Sequence, residues 1–448
     1  MAFLRLQSDH ISSILSEKPD RVLRCRHVSI AEPPPQIIGL LREAGFYHAA
    51  QILSFRIDAA LVSALVERWR TETHTFHLTC GETTITLKDV ALLLGLPING
   101  HEVIGQTSDL RSALCAELLG VVPPAEQRKG QSITLTWLEE TFGMMSYDAG
   151  QRQIECYARA YILRLIGCVL MPDMSQNRVH LKWLPLLRDF TDAGKYSWGS
   201  ACLATLYRSL CRASNKDMKN ISGSIILLQS WAWWAHIEVD DDSRSNKHNV
   251  KIYRQLLDRL EMQQFIWRPY DSNEIIAQVP HDIFADRTLW TAFTSLICFE
   301  VVEWHQTDRV TRQFGFTQGV PLDPVCIGLT HDHDLRGRIN TDWALITEDG
   351  LDSREIERHV ASASMFLPGI TQCRWNIMPS DLKADLIDSW RSDIKHIPCC
   401  GVTLECKLRK KKVNAPNVSH STMAKPIGRI FLLPSCAIAN NKVPLYLP

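Results

Sequence analysis

The sequence predicts a mainly α protein: one large multi-helix domain with a small β-hairpin element near residues 75–86. Three observations predict it. Between residues 151 and 171, Ile154, Tyr157, Ala158, Tyr161, Ile162, Leu165, Ile166 and Val169 fall on one helical face as a continuous apolar stripe. Much of the chain up to residue 305 divides into further segments of helical length, and Gly, Pro, Asn and Asp gather in the links. One pair of β-branched or apolar runs, 75–78 and 83–86, makes a convincing hairpin across a short link containing Gly81. No fixed-period repeat, heptad run or low-complexity tract interrupts the pattern.

The elements follow in order. Residues 1–36 read as an N-terminal arm ending in Pro33-Pro34-Pro35, which cannot be helix interior and reads as an extended lead-in. Asp58 is an N-cap, and Leu61, Val62, Leu65, Val66 and Trp69 share the face of the helix it starts. After the hairpin, Thr86 caps a helix over 87–94, with Asp89 three residues on. Gly95 closes that helix and Pro97 lies beyond it. Pro172 ends the long stripe, and further helices are expected at 183–190, 200–212, 224–238, 250–265 and 286–305. Residues 37–345 make up the domain. Residues 346–448 are expected to form a divergent, partly disordered basic tail.

Of 448 residues, 45% are hydrophobic, which supplies a packed core and excludes a wholly disordered chain. Lys and Arg number 49 and so do Asp and Glu, yet this neutrality is an average. Residues 396–448 hold eight basic residues against Glu405 alone, a net +7, so residues 1–395 sum to −7. The acidic body does not suit charge-driven binding to nucleic acid or anionic membrane. In the tail, Lys407, Arg409, Lys410, Lys411 and Lys412 fit a nuclear-localisation or nucleic-acid patch, and equally a solvated charge run. The opening residues lack the basic start of a secretory signal, so the fourteen cysteines are expected as reduced, mostly buried thiols. Residues 221–237 carry no formal charge but are short for a membrane span. A buried core helix is expected there, with Trp231, Trp233 and Trp234 as core rather than a recognition patch.

Phosphate loops, G-x-G-x-x-G turns, nucleophile elbows and H-E-x-x-H helices are all missing from the sequence. His331, His333 and Asp334 are weak metal candidates, because alternating His and carboxylate can clamp a divalent ion. A tetrapeptide offers two ligands on one face at best, and Arg336 and Arg338 can pair its carboxylates internally. His396, Cys399, Cys400 and Cys406 lack the paired hooks of a zinc site. Glu300 and Glu303, one turn apart on the helix expected at 286–305, are either a carboxylate pair or a charged face meeting solvent or Arg309. No catalytic residue, metal site or cofactor is assigned from these residues.

Ordered blocks of the chain resemble one family. They include Gly45-Phe46-Tyr47, the stretch Ala64 to Arg70, Glu72-Thr73-His74-Thr75-Phe76-His77-Leu78 and TLKDVALLLGLP at 86–97. Next come Tyr157 to Leu163, NRVHLKWLPLLRD at 177–189, Tyr196 to Ser200, Leu206-Tyr207-Arg208 and Leu210-Cys211-Arg212-Ala213. Ile297 to Glu300, Glu303-Trp304-His305, Asp308-Arg309-Val310, Arg312 to Gly315, Asp334 to Gly337 and Asp342-Trp343-Ala344 complete them. Together they resemble the plant mobile domain family of MAIN-like proteins and plant transposable elements, over residues 21–344. The resemblance implies a nuclear protein with roles in meristem maintenance, genome integrity and silencing of transposons. Nuclear protein partners are implied, among them a phosphatase-7-like Ser/Thr phosphatase, with chromatin or nucleic acid as further partners and no membrane. The phosphatase's own metal motifs are missing here. Relatives carry an "aminotransferase-like" label, but Lys88 and Lys182, the lysines in matching blocks, have no recognisable cofactor context. The link between Trp234 and Tyr253 is shorter than the family's, and the helical continuation expected after Ala344 is replaced by Leu345-Ile346-Thr347-Glu348-Asp349-Gly350. A non-enzymatic nuclear interaction or scaffold protein is therefore expected. The alternatives are a metal-dependent enzyme using His331, His333 and Asp334, or nucleic-acid binding through the basic tail.

Overall fold

The computed structural model describes residues 8–15, 21–25, 28–105, 111–175, 177–237, 249–321 and 323–324. Structural statements below concern these residues. Strand β1 (Val28–Ser29) pairs antiparallel with β2 (Ser54–Phe55), and helix α1 (Ile38–Glu43) lies between them in sequence. Helix α2 (Ala59–Val66) starts at Asp58, whose carboxylate accepts from the amides of Ala60 and Leu61. An antiparallel sheet of β3 (Trp69–Arg70), β4 (Thr75–Leu78) and β5 (Gly81–Thr83) follows, with Phe76 opposite both Trp69 and Thr83. Helix α3 (Leu87–Leu94) has the full capping box of Thr86 and Asp89. It stops at Gly95, where φ is 60° and a Cβ would stand 2.3 Å from that of His48.

Helix α4 (Arg111–Leu118) leads to a second antiparallel sheet, β6 (Arg128–Lys129), β7 (Ser132–Thr134) and β8 (Arg178–His180). Helices α5 (Leu135–Phe142) and α6 (Gln151–Leu165) lie between its last two strands in sequence, and α6 continues as a π-helical turn over Ile166–Leu170. Then come α7 (Phe190–Ala193), α8 (Trp198–Ala213), α9 (Ile225–Trp234), α10 (Val250–Arg259) and α11 (Asn273–Ile276). A final hairpin, β9 (Thr294–Cys298) with β10 (Val301–His305), ends the regular structure before a 3₁₀ stretch at Thr307–Phe314. The chain is thus mainly helical, with only small antiparallel sheets of two or three strands.

Helix α8 is the centre of this arrangement. Most of its residues are buried, including Trp198, Leu203, Tyr207 and Leu210. The β9–β10 hairpin, α3 and β3 all pack against it. Each fully buried Leu or aromatic side chain contributes roughly 1.5–3 kcal/mol relative to exposure. The uncharged segment expected to be a core helix is α9, with Trp231 2% exposed and Trp233 and Trp234 packed against the core from its margin. No described helix is long and apolar enough to cross a membrane.

Four expectations need correction. The helix expected at 286–305 is a short 3₁₀ turn, Arg287–Thr291, followed by the β9–β10 hairpin. The β-branched Thr294, Ile297, Val301 and Val302 favour the pleat, and the left-handed Phe299 (φ 49°) at the hairpin's tip breaks any helix. The hairpin near 75–86 is therefore not the only one. The stretch 183–190 is a 3₁₀ segment, Leu181–Leu187, because Pro185 removes a helical donor, and α7 begins only at Phe190. The helix at 250–265 stops at Arg259. Within the N-terminal arm, Ile11 is fully buried and the Leu23 amide donates to Ser63 Oγ at 2.9 Å.

Candidate functional site

Beneath the three-stranded sheet, three elements bring charged side chains into the apolar interior. Arg208 extends from the middle of α8, its neighbours on that face being Ala201 and Ala204. Glu303 points inward from β10 and is 0% exposed. His74 sits in the β3–β4 turn with φ 51°, a left-handed conformation that aims its ring into the core. Arg208 Nε donates to Glu303 Oε1, and its Nη2 donates to the Val302 carbonyl at 3.2 Å. His74 Nε2 stands 3.0 Å from Glu303 Oε2, and His74 Nδ1 lies 2.9 Å from the Trp304 carbonyl. Both ring nitrogens thus face acceptors. Burial works against a charged ring, but Cys211 and Glu303 beside it outweigh burial and hold the His74 pKa up to about 10.

The surroundings fix this cluster in place. Trp69 stacks on His74, and Tyr207 packs against both rings. Tyr207 donates its hydroxyl to the Ile85 carbonyl at 2.6 Å, while Thr84 Oγ1 donates to the His74 carbonyl at 2.6 Å. Trp69 Nε1 donates to Cys211 Sγ at 3.2 Å. His305, two residues along β10 from Glu303, has Nδ1 2.9 Å from the Ala292 carbonyl, and burial depresses its pKa to about 4.

Other ionic pairs are distributed around the same frame. Glu67 of the α2 C-terminus receives two bonds from Arg254 of α10, at 2.7 and 2.6 Å. Glu82 of β5 receives two from Arg309, at 2.8 and 2.9 Å. Asp89 accepts from the Thr86 amide and hydroxyl, and from the Tyr270 hydroxyl at 2.9 Å. Next to it, Thr86, Trp231, Phe265, Trp267, Tyr270 and Gln313 help line a cavity of about 10 Å³. That is room for one water and not for an organic ligand.

The two lysines inside the family-like blocks, Lys88 and Lys182, are both engaged by carboxylates. Lys182 Nζ bonds both oxygens of Glu300, at 3.0 and 2.9 Å, and lies over the rings of Trp183 and Phe299. Lys88 Nζ bonds Asp271 at 2.9 Å and lies near Tyr270 and Trp290. Neither contact resembles a cofactor cradle. Glu300 and Glu303 are not a carboxylate pair on a helix: the first closes a hairpin tip onto Lys182, the second enters the core, and Arg309 serves Glu82 instead. Among the described residues no group of three His, Cys, Asp or Glu is placed to hold a metal ion. His331, His333 and Asp334 lie outside the described residues, as do His396, Cys399, Cys400, Cys406 and the basic run Lys407, Arg409, Lys410, Lys411 and Lys412. The sequence blocks contained His74, Arg208, Cys211 and Glu303 without showing that they meet. The available signal was Arg208 itself, an arginine spaced into an apolar helix face, which requires a buried carboxylate.

Residues 45–360 match the family model described as plant mobile domain. The chain is 37% identical over 405 residues to the "Serine/threonine-protein phosphatase 7 long form homolog" of Arabidopsis thaliana, an alignment covering 82% of this chain and 30% of that protein. It is 38% identical to "Protein MAIN-LIKE 1" of the same plant, over 70% of this chain and 66% of the relative. It is 35% identical to "Protein MAINTENANCE OF MERISTEMS", over 76% of each chain. The chain therefore spans less than a third of the phosphatase homolog and just under two thirds of MAIN-LIKE 1. No solved structure matches. With a family model covering most of its length and relatives more than 30% identical over 70% or more of this chain, the chain belongs to the plant mobile domain family.

Proposed function

We propose that this chain is a non-enzymatic interaction or scaffold protein of the plant nucleus, acting in meristem maintenance, genome integrity and the silencing of transposons. A phosphatase-7-like Ser/Thr phosphatase is among its partners in this reading. One observation carries it: the same domain recurs in relatives that share different fractions of their length with it, 30% of the phosphatase homolog and 76% of MAINTENANCE OF MERISTEMS. A unit that accompanies such different remaining sequence is suited to bringing other functions together. The interior supports this, since Glu67, Glu82, Asp89, Glu300 and Glu303 each tie one element to another. Such charges position surfaces rather than reactants. Affinity capture of the tagged full chain from cross-linked plant nuclei tests the reading. Enrichment of a phosphatase-7-like protein, with chromatin or RNA-processing proteins, is expected. A chain excluded from nuclei, or one recovering none of these classes, overturns it.

A further inference from the structure

Between helix α4 and strand β6 runs the link Gly120-Val121-Val122-Pro123-Pro124, and its shape is set by its own residues. The proline rings hold φ of Pro123 and Pro124 near about −65°. A following proline also drives Val122 and Pro123 out of the helical region into extended backbone. Pro124 has φ −58° and ψ 158°, the values of a left-handed polyproline II helix. Both ends are pinned. Gly120 leaves α4 with φ 73°, and the Gln127 amide donates to the Pro124 carbonyl at 3.1 Å as the 3₁₀ turn Ala125–Gln127 opens.

We propose that residues 121–124 are a docking strip for a partner protein that reads polyproline II segments in an aromatic-lined groove. Side chains supply the first argument. Val121 and Val122 are 36% and 42% exposed, Pro124 is exposed and Pro123 is buried. At three residues per turn, Val121 and Pro124 share one outward ridge and Val122 forms the next, while Pro123 roots the strip in the domain. The backbone supplies the second. Among the described residues, none bonds the amide or carbonyl of Val121 or Val122, or the carbonyl of Pro123. Such groups are paired in helices and ladders; here they stay available to a partner.

A groove of parallel aromatic rings answers both features. Its rings pack on the apolar ridges, and a Trp indole N–H or Tyr hydroxyl donates to the open carbonyls. At ~3.1 Å per residue, Val121 and Pro124 stand about 9 Å apart along the strip. The strip already has its bound shape, so docking costs it little freedom. Glu126, exposed two residues beyond Pro124 and without a partner among the described residues, calls for a cation at that end of the groove. The other proline run, Pro33-Pro34-Pro35, is turned to internal use: Pro33 is buried, and the nearby Ala31 carbonyl accepts from the Tyr161 hydroxyl at 2.9 Å.

Fluorescein-labelled recombinant WW, SH3 and EVH1 domains, each titrated with the full chain and followed by anisotropy, test the strip. At least one domain is expected to bind, and a polyproline decapeptide should displace the chain from it. Val122→Ser combined with Pro124→Gly should weaken that binding by at least about tenfold while leaving the urea midpoint unchanged, since both side chains face solvent. Glu126→Lys should weaken it by about threefold. No binding to any domain at about 1 mM, binding that polyproline does not displace, or binding that either variant keeps in full overturns the proposal. The strip rests on the interaction-protein reading, yet the two fail separately. Nuclear capture of a phosphatase-7-like protein by a chain that binds none of these domains would sink the strip alone.

Discussion

Glu303 carries the largest single responsibility at the scale of residues, because the buried Arg208 and His74 both depend on it. Glu303→Ala strands Arg208 and His74 in the core, and a loss of about 3–5 kcal/mol in urea unfolding is expected. Adding Arg208→Met removes one of the stranded charges, so the double variant should lose less than the sum of the singles by at least about 1 kcal/mol. Additive losses would mean the two side chains do not act together. Titration gives a second prediction. The His74 pKa lies near 10 when folded and near 6.5 when unfolded, so its stabilisation is complete below pH 6.5 and gone once pH rises through 10. His10 and His305 behave oppositely, with folded pKa values near 4, so their stabilisation is lost as pH falls from 6.5 toward 4. Urea midpoints measured from pH 4.5 to 9.5 should form a dome whose alkaline limb flattens in His74→Gln. An arginine in an apolar stripe was legible in the sequence. Its partner was not, because Glu303 lies 95 positions away and meets it only through the tertiary fold.

Individual elements were legible where local chemistry decides them. The 151–171 stripe became α6 and its π-turn because apolar spacing and burial agree along its whole length. The Thr86–Asp89 box was readable because capping is a contact between residues three apart. Thr86→Ala is expected to cost about 1 kcal/mol in thermal or urea unfolding, the usual value of an N-cap. Asp89→Ala should cost more, about 2–3 kcal/mol, since it also leaves the buried Tyr270 hydroxyl without its acceptor. Equal losses would assign Asp89 to capping alone. The β9–β10 hairpin was misread as helix because Phe299, a bulky residue with positive φ, is an unusual turn former. Its conformation is held by distant contacts: the Trp183 ring, the Lys182–Glu300 pair and an amide bond to the Val103 carbonyl at 2.9 Å. None of those partners is visible from the local pattern.

For the whole molecule, charge separates two modes of binding that the fold alone leaves together. Residues 1–395 sum to −7 and residues 396–448 to +7, so net attraction to a polyanion is expected from the second group. The described domain turns many of its own cations inward, with Arg208, Arg254, Arg309 and Lys182 all occupied by carboxylates. Binding to nucleic acid should therefore follow the counterion arithmetic of the basic run. Five cations on five phosphates give a log–log salt slope of roughly −4.5 on duplex DNA, at about −0.9 per phosphate. Neutralising Lys410, Lys411 and Lys412 together should reduce that slope to about −2 and abolish measurable binding at physiological salt. The same triple variant should leave the capture of protein partners by the folded domain unchanged. Fluorescence anisotropy with a labelled duplex from 50 to 300 mM salt, run beside capture from plant nuclei, measures both arms. A slope unchanged by neutralisation would place a cationic surface on the acidic body, and protein partners lost along with DNA would make nucleic acid the bridge between them.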